Sequence, residues 1–108
     1  VAFVKFLKRQ NSGAITVRRN GTLGLSAGLI REHKLENFRF CNLYYDETTG
    51  QIGLQFLPAY QAGCAKIIAN GRQYFLHARR FISSNKIEAG AYSASLDLAL
   101  GFFVCSRS

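Results

Sequence analysis

With 108 residues, 48% hydrophobic and 13% aromatic side chains and a single proline, the chain has the composition of one folded globule. That argues against a disordered tail and against a second independent domain. Fourteen Lys and Arg against six Asp and Glu leave a net charge of +8, a field that favours polyanions, since each phosphate neutralised releases counterions.

Cys41, Cys64 and Cys105 are odd in number, widely spaced and set among apolar neighbours, with no CxxC and no Cys/His cluster. Reduced, buried thiols in a reducing compartment, the cytoplasm, are expected, with no metal and no cofactor. Residues 1–7 are apolar but contain Lys5 and lack a small-residue cleavage site. They are too short for a signal peptide or a membrane span, so no membrane association is expected. They read as a buried strand or an arm that another strand covers.

Residues 14–19 carry Ile15 and Val17 on one face, Asn20-Gly21 is a strong hairpin-turn signal, and 22–25 return as a short strand. Ser26 is an expected N-cap for a helix over 27–34, with Leu29, Ile30 and His33 along one face. Residues 38–45 form an aromatic strand that breaks at Asp46-Glu47-Thr48-Thr49-Gly50. Its partner, 51–57, alternates with Ile52, Leu54 and Phe56 on one side. Pro58 interrupts the strand pattern and opens a linker, 58–63. Beyond it the order starts again: a strand at 65–69, the Asn70-Gly71 turn, a return strand at 73–76, a helix over 77–85, and a hairpin formed by 91–98 and 100–105.

The halves align, Leu29-Ile30 with Phe81-Ile82 and His33-Lys34-Leu35-Glu36 with Asn85-Lys86-Ile87-Glu88, given one extra residue placed near Arg79-Arg80. Each half carries +4: eight basic against four acidic side chains up to residue 57, and six against two after it. A repeat this short cannot bury its own apolar faces. The expected fold is therefore mainly β (α+β), a single domain over 1–108. Two strand-turn-strand-helix-hairpin repeats, 13–57 and 64–105, form one small β-barrel about a pseudo-two-fold axis.

This order of elements resembles the AbrB, MazE, SpoVT and MraZ group of swapped-hairpin barrels. The stretch from Ile15 through Asn20-Gly21 and Ser26 to Leu57 carries the resemblance, and 65–105 carries it more faintly. Ser26 and His77 stand where that family often places proline at the start of the helix. The resemblance implies interleaved hairpins and a basic face docked on double-stranded DNA. Carried over residue by residue, the DNA-facing positions are Arg18, Arg19 and Arg31 in the first unit and Arg72, Arg79 and Arg80 in the second.

Other chemistry finds little footing. His33 and His77 lack carboxylate or thiol partners at helical ligand spacing. Ser26, Ser83 and Ser84 have no nucleophile-elbow context, and Asp46-Glu47 read as a solvated turn. Gly21-Thr22-Leu23-Gly24 follows a hairpin, the wrong setting for a phosphate loop. Phe38, Phe40, Tyr44, Tyr45, Tyr74, Phe75, Phe102 and Phe103 read mostly as core. Beside the arginines, aromatic rings also suit stacking on single-stranded nucleic acid. Tyr44, Tyr60, Tyr74 and Tyr92 are the tyrosines whose hydroxyl end can reach a surface. The expectation is a non-enzymatic DNA-binding protein, a transcription regulator or an accessory protein of a phage or mobile element, with homo-oligomer formation left open. The alternative is a protein-interaction module, antitoxin-like or inhibitory, that sets the basic face against an acidic partner.

Overall fold

Alternation of apolar and polar residues decides the strands, and the computed structural model, which describes residues 13–71 and 73–107, closes them into a barrel. The first half supplies β1 (Gly13–Val17), β2 (Thr22–Leu25), α1 (Ala27–Glu32), β3 (Phe40–Asp46) and β4 (Gln51–Leu57). The second supplies β5 (Ala65–Asn70), β6 (Gln73–His77), α2 (Arg79–Ser84), β7 (Gly90–Asp97) and β8 (Phe102–Arg107). The strand assigned to residues 1–7 lies outside the described residues.

Around the closed barrel the order is β1-β2-β6-β5-β3-β4-β8-β7, antiparallel at every pairing. Exchanging β1 to β4 with β5 to β8 leaves this order unchanged, which is the signature of a pseudo-two-fold axis. The halves interleave: β1 pairs with β7 and β5 with β3, so each opening hairpin finishes the other half's closing hairpin. The axis pierces the wall twice, at Gly24 opposite Phe75 between β2 and β6, and at Gly53 opposite Val104 between β4 and β8.

Inward positions fill the lumen. Ile15, Leu23, Cys41, Ile52, Leu54, Leu76 and Cys105 are fully buried, and Leu29 and Ile30 of α1 join the same cluster. Tyr92 belongs there too, at 3% exposure, with its hydroxyl donating to the Glu88 carbonyl at 2.8 Å. The surface position open to it from the sequence is not taken, because its slot in β7 faces inward opposite Ile15. Over Gly53 the missing side chain leaves room for two rings: Tyr44 stacks on Phe102 with centroids 5.1 Å apart. His33, edge-on to Phe103 at 4.7 Å, has a buried Nε2 without a hydrogen-bond partner. Such an unpaired nitrogen is a destabilising element inside an otherwise apolar region.

Both helices are shorter than their patterns suggest, and both end alike. Ser26 caps α1, its Oγ accepting from the Leu29 N–H at 3.1 Å, whereas Ala78, before α2, offers no side-chain cap. The extra residue of the second repeat is His77, which extends β6 and does not belong to the helix. After each helix a lysine adopts a left-handed conformation, Lys34 at φ 54 and Lys86 at φ 53. Leu35 donates to Ile30 and Ile87 to Ile82, so each terminus forms a Schellman motif with lysine where glycine is usual.

Burial pushes the Cys41 and Cys105 thiols up to about 12, the Cys105 charge adding to the effect on Cys41. Both stay protonated at neutral pH and are poor nucleophiles.

Two outcomes follow from these features. Lys34→Gly and Lys86→Gly relieve the left-handed strain and should each raise stability by about 0.5–1 kcal/mol in chemical denaturation. An unchanged midpoint in both variants would contradict the strain. For the thiols, the unfolded chain releases protons above about pH 9 while the folded barrel keeps them to about 12. Their stabilising contribution is complete below pH 9 and is lost as pH rises towards 12. A Cys41→Ala/Cys105→Ala variant should accordingly show a shallower alkaline fall in thermal midpoint than the parent chain.

Candidate nucleic-acid interface

The first hairpin turn is built by local hydrogen bonds. Arg18 donates its N–H to the Thr22 carbonyl at 2.9 Å and Gly21 donates to the Arg18 carbonyl at 3.1 Å. Asn20 Oδ1 accepts from the Thr22 N–H at 3.1 Å and from its hydroxyl at 2.7 Å. The loop is thus Arg19-Asn20-Gly21, with Gly21 at φ 91, and not the two-residue Asn20-Gly21 turn expected from the dipeptide. Asn20 spends its side chain on Thr22, and glycine takes the left-handed place at the end.

This turn meets the start of α2. The Ala78 N–H donates to the Gly21 carbonyl at 2.8 Å, and the Arg79 stem covers Gly21 so closely that an added Cβ would lie 2.7 Å from Arg79 Cβ. Arg18 runs the other way, its guanidinium lying over Gly24, with Nη1 3.4 Å from Thr22 Oγ1. Arg18 and Arg19 flank this turn and Arg79 and Arg80 open the helix docked on it, so four exposed arginines from opposite halves belong to adjoining segments. Arg79 and Arg80 sit in the first turn of an uncapped helix, where the backbone dipole disfavours cations. Stability does not account for that placement.

Arg31 stands apart. It occupies the last turn of α1, where the dipole favours it, and it lines a groove of about 320 Å³ with Ala27, Ile30, Glu36, Gly71 and Tyr74. Asn70 pairs directly with Gln73, so the second hairpin turn is shorter than the first. Gly71, at its start, has nothing within 4 Å of an added Cβ. Arg72 lies outside the described residues. The β2–β6 ribbon separates the two turn regions by four residue pairs, about 10 Å along the strands.

Several carboxylates are occupied elsewhere. Asp46 Oδ1 accepts from the Thr48 and Thr49 N–H groups, and Asp97 Oδ1 from Ala99 and Leu100. Glu88 pairs with Arg107 at 2.8 Å. Asp46 and Asp97 thus hold the tips of the closing hairpins.

Beside the arginines stand Phe75, one of the rings that suit stacking by sequence, and His77, which the sequence does not mark as part of the site. His77 and Phe75 both point outward from β6, with ring centroids 5.9 Å apart, and His77 pairs with Thr22 across the ribbon. The signal was the period-two pattern of residues 73–77, which sends Tyr74 and Leu76 inward and leaves Phe75 and His77 outside. Among the described residues no group of His, Cys, Asp and Glu is arranged to hold a metal ion, and no helix is long and apolar enough to cross a membrane. Comparison with protein-family models, with curated proteins and with solved structures finds no match.

Gly21→Ala combines a left-handed φ with a clash against Arg79, whereas Gly71→Ala meets only the left-handed φ. The first should cost about 2–3 kcal/mol and the second about 1 kcal/mol in denaturant unfolding. Equal losses would show that docking of the turn on α2 constrains nothing.

Proposed function

We propose that this chain is a non-enzymatic DNA-binding protein whose first hairpin turn, β2–β6 ribbon and α2 present arginines to phosphates. The observation that carries the reading is the docking of the turn that holds Arg18 and Arg19 on the helix start that holds Arg79 and Arg80, while the carboxylates of Asp46 and Asp97 are engaged by backbone N–H groups of their own hairpin tips. Arginine presents a planar fork to phosphate oxygens and to guanine edges, so the cluster suits shaped recognition as well as bulk charge. Arg31, beside the second turn at the other end of the ribbon, extends the proposed contacts along the duplex.

The interleaved hairpins add support, since this is the arrangement that the AbrB-like resemblance implies. A shared barrel carries no function by itself, however, and the arginines bear the weight of the proposal. In biological terms the reading is a transcription regulator or an accessory protein of a phage or mobile element, acting in the cytoplasm, where unpaired thiols persist.

A random-sequence duplex followed by fluorescence anisotropy tests this. Affinity should fall steeply between roughly 50 and 200 mM salt, as expected when several phosphates are neutralised. Replacing Arg79 and Arg80 together by alanine should lower the slope of log K against log salt by about 1–2 and move the thermal midpoint by no more than about 3 °C. Absence of binding at low salt, or binding indifferent to salt, overturns the proposal.

A further inference from the structure

Resting on the DNA reading above, we propose that Phe75 is a base-stacking anchor of this interface and gives it a preference for unpaired over paired DNA. Phe75 lies in a row of outward-facing positions that crosses four strands, Thr16, Gly24, Phe75 and Ile68, each directly opposite the next. The inward neighbours Leu76 and Ile67 fill the core; Phe75 and Ile68 are not part of that cluster. The aromatic side chain is half-buried on the barrel's outer wall, at the point where the pseudo-axis emerges.

Its surroundings set an aromatic face beside a guanidinium and a second ring. Opposite Phe75, Gly24 carries no side chain, and the Arg18 guanidinium covers its buried backbone. The His77 ring meets Phe75 edge-on, with an interplanar angle of 89°. A base entering beside Phe75 has an aromatic surface to stack on and a guanidinium near it, while Arg19, Arg79 and Arg80 serve the adjoining phosphates. Charge complementarity thus selects the occupant, a nucleic-acid strand. In a duplex the faces of the bases are already stacked, and reaching Phe75 requires unstacking a step; a single strand offers its bases without that cost.

The test compares labelled oligothymidylate with its duplex on oligodeoxyadenylate, at one ionic strength, with Phe75→Ala and Phe75→Leu. The parent chain should bind the single strand more tightly. Phe75→Ala should weaken single-strand binding about five- to hundredfold and duplex binding less than about twofold. Phe75→Leu keeps an apolar side chain without a stacking face, and it should lose single-strand affinity while retaining the parental thermal midpoint. The anchor is overturned if the parent prefers the duplex, if both substrates weaken equally, or if the leucine variant binds the single strand like the parent. Duplex binding that persists in those cases leaves the DNA reading standing; failure of both substrates to bind at low salt removes both.

Discussion

Neither half of this chain can satisfy its own strand edges. β1 without β7 and β5 without β3 would expose rows of unpaired backbone donors and acceptors, a costly and aggregation-prone state. Closure by exchange removes every edge at once. It also places the lumen side chains of both halves in one cluster, so Ile15 of the first copy packs in the same core as Tyr92 of the second. Stability is thereby a property of the pair of repeats, and the surface features discussed above exist only because that exchange holds the two halves in fixed register.

The frame is symmetric, but the chemistry mounted on it is not. One turn carries Arg18 and Arg19 and rests on Arg79 of the opposite helix; its counterpart, beginning at Gly71, leaves a groove against α1. Ser26 caps the first helix with its hydroxyl, while Ala78 leaves the second uncapped and followed by two arginines. The capped helix start belongs to the helix that carries Arg31 in its last turn. The less favourable one is where the cationic cluster forms, which is the pattern expected when local stability has been given up for a surface task.

Much of this architecture was legible in the chain. Period-two alternation at Ile52, Leu54 and Phe56 gave β4, the matching Lys34-Leu35 and Lys86-Ile87 segments gave the second copy, and Ser26 gave a helix start. The misreadings have physical causes. Asn20-Gly21 has the local preference of a two-residue turn, but the Asn20 side chain bonds to Thr22 and lengthens the loop. His77 was assigned to the helix because nothing local separates a final strand residue from a cap; its pairing with Thr22 is a long-range fact. Tyr92 could reach a surface by its hydroxyl end, but its ring fills the core and the Glu88 carbonyl takes the hydroxyl. The meeting of Arg18 and Arg19 with Arg79 and Arg80 depends on the crossing of the halves, which no single segment encodes.

In a two-fold assembly of identical chains, a side chain on the axis meets its own duplicate, so large faces large and small faces small. Fusion of both copies into one polypeptide lifts that restriction. Here glycine faces phenylalanine at one piercing point and glycine faces valine at the other, a knob-against-notch fit closed to any homodimer. A chain so built has a head and a tail, and whatever it grips is held in one direction only.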